Sequence, residues 1–220
     1  HYLYCIDYFV KIMNEKNSLG LNKCFLDLDD PFELFERWFD EAKKKEINDP
    51  NALALGTASK NGIPSVRMVL LKGFDKEGFV FYTNLNSQKG IQIKENPNAT
   101  MCFHWKSLLR QIRIVGTLSR VSEETADRYY DSRGYESRIG AWASKQSNVL
   151  KNREELLDSL EKFRKKFSKN ERVPRPNHWS GFNLKPSSIE FWLDGDNRIH
   201  ERLKYTLDDN NNWIKSLLSP

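Results

Sequence analysis

The chain has 220 residues, 39% hydrophobic and 30% charged, so it has room for a real core and is too apolar to be a disordered polymer. Lys and Arg total 35 against 30 acids, and the densest basic runs, Lys43–Lys45 and Arg164–Lys169, fall where helices are expected. That argues for solvated helix faces rather than a nucleic-acid-binding stripe, and suits an enzyme with phosphate ligands. Cys5, Cys24 and Cys102 are too widely spaced for a disulfide or zinc framework. The N-terminal residues show no basic leader and apolar run, and no stretch approaches the roughly 18 apolar residues of a membrane helix, so a cytoplasmic protein is expected.

Residues 1–28 show no clean period and read as a partly ordered arm. Asp30-Pro31-Phe32-Glu33 supplies an N-cap, a proline at the first helical position and a reciprocal acid. Phe32, Phe35, Trp38, Phe39 and Ala42 then recur at helical spacing, which predicts an amphipathic helix over 31–47. The period changes to two. Strands are expected over 52–59, 64–73 and 79–84, with turns at Lys60-Asn61-Gly62 and Asp75–Gly78. Asn86 or Ser87 can cap a short helix that ends before Asn96-Pro97. Two more strands follow over 99–106 and 110–121.

Ser122, with Glu123 and Glu124 behind it, starts a helix whose dipole favours those acids. Asn152 and Glu155 form a second capping box ahead of a helix over 153–168. A loop spans 169–181. A hairpin over 187–194 and 198–206 turns at Gly195-Asp196-Asn197, and a last strand covers 212–217. Many short strands and tight turns with a few helices predict an α+β chain, mainly β, built as a small antiparallel barrel with helices around it.

No dinucleotide fingerprint, P-loop, nucleophile elbow or H-E-x-x-H motif is present, and the four histidines stand at no metal-ligand spacing. Three groups of polar residues remain. In Arg67-Met68-Val69-Leu70-Leu71-Lys72, strand alternation puts Arg67 and Lys72 on opposite faces. They are either ligand groups or two strand ends reaching water. Arg198, His200 and Arg202 share one face of the expected hairpin strand, a row that repels itself unless an anion or solvent covers it. Tyr129, Arg133 and Ser137 stand at i, i+4 and i+8. They make a phosphate cradle if the helix continues past Gly134, although surface helices show such sets by chance.

The segments R-M-V-L-L-K, F-Y-T-N, S-Q-K, R-Q-I-R-I-V-G, S-R-I-G-A-W-A-S-K-Q-S, H-W-S-G-F and I-E-F-W…R-I-H-E-R occur in one order with fixed spacing. From Asp30 to Pro220 the chain resembles the pyridoxamine/pyridoxine 5′-phosphate oxidases. The resemblance implies an FMN-binding split barrel over 29–220, a Greek-key antiparallel barrel working as a homodimer with FMN at the subunit interface. It implies oxidation of pyridoxamine and pyridoxine 5′-phosphates to pyridoxal 5′-phosphate. A hydride passes from C4′ to the flavin, and dioxygen then yields hydrogen peroxide.

By the same resemblance Arg67 and Lys89 grip the FMN phosphate, and Met68, Val69 and Leu70 run beside the flavin. Lys72, Tyr82, Thr83 and Gln111 add contacts. Gln146 and Ser147 come from the partner subunit, and Trp192 and Arg202 close the cofactor site. Lys72, Tyr129, Arg133 and Ser137 hold the substrate phosphate. Arg198 and His200 sit over the reacting pyridine as the catalytic pair. One departure stands out. Gln88 occupies the place of the family's usual arginine, so that role is not carried over and weaker FMN binding is expected.

Two rival readings have distinct signatures. A single-stranded nucleic-acid module would bind oligonucleotides salt-dependently and carry no chromophore. A flavin reductase, or a flavin-binding protein without oxidase activity, would keep the flavin contacts but not the substrate-side residues.

Overall fold

The computed structural model describes residues 16–220. Residues 1–15 of the expected arm, Cys5 among them, lie outside the described residues. Residues 16–28 hold a Lys16–Asn22 bridge and a 3-10 turn, Lys23–Phe25, whose Phe25 is fully buried. Five α-helices follow: α1 (Pro31–Lys45), α2 (Gln88–Glu95), α3 (Glu123–Ser132), α4 (Tyr135–Ala143) and α5 (Arg153–Lys166). Nine strands are β1 (Ala52–Ala58), β2 (Pro64–Leu70), β3 (Gly73–Asp75), β4 (Gly78–Asn84), β5 (Asn98–Trp105), β6 (Arg110–Arg120), β7 (Trp179–Leu193), β8 (Glu201–Leu207) and β9 (Trp213–Leu217). They join in the order β2-β1-β5-β6-β7-β4-β3, with β8 on β7 and β9 on β8. The β3–β4, β4–β7, β7–β8 and β8–β9 pairs are antiparallel, so the chain is mainly β, as expected. Among the described residues no helix is long and apolar enough to cross a membrane.

The chain divides into two compact units. The first takes residues up to Ala54, Thr100–Val115 and Pro186–Pro220; the second takes Leu55–Ala99 and Gly116–Lys185. In the first unit the Asp30 carboxylate accepts from Phe32 N at 2.8 Å and starts α1, as the sequence predicts. The helix ends at Lys45, with the Glu46 N–H on Ala42 O. Its aromatic face is buried: Phe35 meets Phe103 edge-on at 5.4 Å, and Trp38 meets Phe191 at 5.2 Å. Each fully buried ring of this kind contributes about 1.5–3 kcal/mol by area.

The second unit carries β2–β4 and all the other helices. Phe79 and Phe81 on β4 and Ile139 on α4 are buried in it. Ser87 caps α2 by accepting from Gly90 N, and Asn152 caps α5 by accepting from Glu155 N. The expected strand 64–73 stops at Leu70 and resumes as β3, because Gly73–Asp75 pairs with Gly78–Val80 in its own hairpin.

Two elements depart further from expectation. β7 begins at Trp179, inside the expected loop, because residues 179–184 find a partner in β4 with Tyr82 opposite Gly181 and Thr83 opposite Ser180. Residues 188–193 pair with β8, and Pro186 falls between the two registers, where its missing N–H breaks neither. The helix after Ser122 breaks at Gly134, which becomes the N-cap of α4, so Tyr129, Arg133 and Ser137 do not share one helix.

Candidate active site

The second unit contains a cavity of about 680 Å³. Its walls include Met68, Val69, Leu70 and Lys72, with Tyr82 and Thr83 from β4 and Lys89 from α2. Tyr129, Arg133, Ser137, Gln146 and Trp179 also line it. The break at Gly134 does not undo the cradle. Tyr129 comes from the end of α3, Arg133 from the extended cap after it, and Ser137 from the first turn of α4.

One end of the cavity is built around Lys89. Lys89 is 8% exposed, and its ammonium donates to Gln146 Oε1 at 3.1 Å and Ser87 Oγ at 3.3 Å. Burial, and then the charge of Arg67, hold its pKa below the usual lysine value. Arg67 does not itself line the cavity; it stands beside Met68 of the wall and points inward from β2, where residues alternate between exposed and half-buried. Its Nη1 donates to Thr57 Oγ1 at 2.6 Å and Leu55 O at 3.0 Å, and its Nη2 to Ser65 Oγ at 2.7 Å. Burial lowers its pKa too. Among the described residues neither cation has an acidic partner. Two like charges kept together without a counterion make a site that a dianionic phosphate completes. Gln88, at the first position of α2, is exposed.

At the other end Tyr82 stacks on Tyr129 with centroids 3.9 Å apart and on Trp179 at 5.4 Å. Gly181 makes this possible: a Cβ there would lie 2.7 Å from the Tyr82 ring. The Arg133 guanidinium lies 4.8 Å over the Trp179 ring, and its Nη1 is buried with no hydrogen-bond partner. Burial lowers its pKa, against smaller opposing effects of Tyr129 and Tyr130. Lys72 is exposed, with Nζ 6.0 Å from the Tyr129 ring. Burial pushes the Tyr130 phenol beneath them up to about 12, and its hydroxyl donates to Arg138 O at 2.9 Å.

Gln146 Oε1 accepts from Lys89 Nζ and Thr83 Oγ1 of its own chain. α4 ends at Ala143, and Asn84 Nδ2 donates to Ser144 O at 3.3 Å, which tethers the following turn. Ser147 sits in that turn, exposed, at φ 72°.

The remaining predicted residues belong to the first unit. Gln111 is half-buried on β6. The expected row of Arg198, His200 and Arg202 on one strand face does not form. Asn197 and Arg198 take left-handed backbone, φ 55° and 67°, and β8 starts only at Glu201. The hairpin is too tight for a strand there: Gly195 approaches so closely that a Cβ would lie 2.0 Å from Ile199 O. The turn leaves Arg198 exposed and folds His200 against Trp192, centroids 4.6 Å apart. His200 Nδ1 faces the Gly195 N–H at 3.2 Å and the Asp194 carboxylate at 3.0 Å. A proton on Nδ1 selects Asp194, and its absence selects Gly195. Arg202 is committed: its Nε donates to buried Glu190 at 2.8 Å and its Nη1 to Ser219 O at 2.8 Å, while Arg113 holds the other Glu190 oxygen.

Sequence reasoning missed Trp179, Gln92 and Glu190. The H-W-S-G-F segment was the available signal for Trp179, but its stack on Tyr82 depends on the β4–β7 register.

The sequence profile described as "Pyridoxamine 5′-phosphate oxidase" matches residues 39–167, and one described as "Pyridoxine 5′-phosphate oxidase C-terminal dimerisation region" matches 179–220. A pyridoxine/pyridoxamine 5′-phosphate oxidase of Pelagibacter ubique is 70% identical over 94% of this chain and 100% of its own length. One from Allorhizobium ampelinum is 54% identical over 82% of this chain and 87% of its own. Among solved structures, PhzG from Burkholderia lata, in complex with tetrahydrophenazine-1-carboxylic acid, superposes with a TM-score of 0.83 at 30% identity, covering 90% of this chain and 96% of that one. A pyridoxamine 5′-phosphate oxidase-related, FMN-binding protein from Nostoc punctiforme shares the fold, with a TM-score of 0.69 at 17% identity over 87% of this chain and 98% of that one.

Proposed function

This chain belongs to the pyridoxamine 5′-phosphate oxidase family, and we propose from that premise that its cavity seats FMN at Arg67 and Lys89 and the phosphorylated substrate at Lys72, Tyr129, Arg133 and Ser137. The fold is the FMN-binding split barrel, and the cofactor is FMN. The reaction is oxidation of pyridoxamine 5′-phosphate or pyridoxine 5′-phosphate to pyridoxal 5′-phosphate. The alcohol and dioxygen give aldehyde and hydrogen peroxide; the amine also consumes water and releases ammonia.

The observation that carries this reading is a cavity whose two ends hold cations with no acidic partner among the described residues: Lys89 with Arg67 behind it, and Arg133 with an unpartnered Nη1. The residues present therefore fit FMN, whose phosphate would take the first end. When bound, FMN supplies the two-electron acceptor and the route to dioxygen.

The chain's own residues do the positioning. Lys72 and Arg133 provide charge for the substrate phosphate, and Tyr129 and Ser137 add hydroxyl donors. The Tyr82–Tyr129–Trp179 stack holds Tyr129 and Arg133 in place with no carboxylate to compete for them. Met68, Val69, Leu70, Thr83 and Gln146 line the flavin's path, with Ser147, Gln111 and Trp192 as further cofactor contacts, and Arg202, committed to Glu190, supports that edge of the site. Arg198 and His200 orient the pyridine and hold a proton at His200 Nδ1. The working form is a homodimer with FMN at its interface. The described dimerisation region supports this, as does the apolar outer face of β2, where Met68 is 64% exposed beside the cavity. Residues 29–220 act as one oxidase domain with 1–28 as an arm, in the cytoplasm.

The test is an absorbance spectrum under anaerobic conditions. Addition of pyridoxamine 5′-phosphate bleaches the flavin band at about 450 nm. A band that stays sinks the substrate assignment, and a chain that takes up no FMN sinks the cofactor site.

A further inference from the structure

Gln92, on α2, is a buried polar hub beside Arg67. Its Oε1 accepts from the Thr57 and Ser65 hydroxyls, each at 2.6 Å, and lies 3.4 Å from Arg67 Nη2. With their protons on Gln92, those hydroxyls turn lone pairs to Arg67, which donates to both. The chain of donors runs one way, from guanidinium to hydroxyl to amide oxygen, and each bond polarises the next. A buried guanidinium is more often held by a carboxylate, which fixes its direction but cancels its charge.

We propose that Gln92 is a positioning residue: it fixes the direction of Arg67 through Thr57 and Ser65 while leaving the guanidinium charge uncompensated for the FMN phosphate. This rests on the reading of Arg67 as a phosphate ligand. The neutrality of Gln92 is the functional property, because a glutamate would satisfy the same hydroxyls at the same length.

The full chain, stripped of flavin, is titrated with FMN and with riboflavin, which has the same ring system and no phosphate. Flavin fluorescence reports both affinities, and the melting temperature reports the fold. Gln92→Glu is expected to raise the FMN Kd about tenfold or more while riboflavin moves less than about twofold and the apoprotein melts no lower. A folded Gln92→Glu protein that keeps its preference for FMN overturns the proposal. Equal weakening of both flavins also overturns it, since Gln92 is then a packing residue.

In an Arg67→Ala background the same change is expected to cost less than about threefold, because its effect runs through Arg67. Full cost there contradicts the proposal. If Arg67→Ala by itself leaves FMN affinity unchanged, the phosphate-ligand reading falls, and the proposal with it. Should Gln92→Glu fail to fold, Ser65→Ala removes one hydroxyl of the chain on half-buried β2. It is expected to lower the FMN preference about threefold with riboflavin unchanged, and an unchanged preference overturns the proposal.

Discussion

The family resemblance gives Arg67 and Arg202 the same task, holding FMN, yet their surroundings differ. Among the described residues Arg67 is met only by hydroxyls, two carbonyls and an amide oxygen. Arg202 lies against buried Glu190, 4% exposed, which also takes Arg113. A guanidinium matched to a buried carboxylate holds the fold together, and removing either partner is costly. A guanidinium matched only to neutral acceptors keeps its charge for something that arrives later. The same contrast separates Arg133, with a buried unpartnered Nη1, from Arg175, which is paired with Asp127 and Glu123. The partners of a cation, more than its burial, distinguish ligand sites from scaffold.

The largest expected effect lies outside that contrast and bounds it. Arg198, exposed in a left-handed turn, has no acidic partner among the described residues, so Arg198→Ala should lower kcat/KM by about 10²-fold or more with melting temperature and bound flavin unchanged. Near-normal turnover would remove Arg198 from the reacting centre. Arg133→Ala should raise KM for the phosphorylated substrate about 10–100-fold while FMN stays bound, the loss of one or two charge-assisted hydrogen bonds. An unchanged KM would place the substrate phosphate elsewhere.

Glu190→Gln tests the opposite class. It should cost about 1–2 kcal/mol, at the low end for a buried pair because Arg113 is half-exposed, and lower Tm by about 3–6 °C. A large loss of FMN affinity at unchanged Tm would erase the distinction between scaffold and ligand arginines.

The smallest effect is in pH. Lys89 is held below its ordinary 10.5, first by burial and then by Arg67. A lysine depressed in the folded state costs the apoprotein stability while charged, and that cost is relieved as pH rises through the folded pKa toward 10.5. FMN binding uses the charged form, so its affinity should fall across the same alkaline window. Lys89→Arg should flatten the decline. A decline that survives that change would belong to another group.

Local signals were legible in the sequence. Asp30-Pro31 starts α1, Ser87 caps α2, and Gly62 closes the first hairpin at φ 79°. The alternation that turns Arg67 inward on β2 was legible too. Features set by distant partners were not. β7 extends back to Trp179 only because β4 pairs with it, and that register brings Trp179 against Tyr82. The Arg198–Arg202 segment read as a strand because period two fits it, whereas Asn197 and Arg198 occupy left-handed backbone that no spacing rule announces. Gln92 carries no local mark at all; the role proposed for it follows from two hydroxyls on β1 and β2.

The most direct measurement compares FMN with riboflavin on the wild-type chain stripped of flavin. Acid-free cations kept for a phosphate require FMN to bind at least about 100-fold more tightly, the worth of two charge-assisted contacts. Equal affinity for the two flavins would mean that Arg67 and Lys89 hold no phosphate.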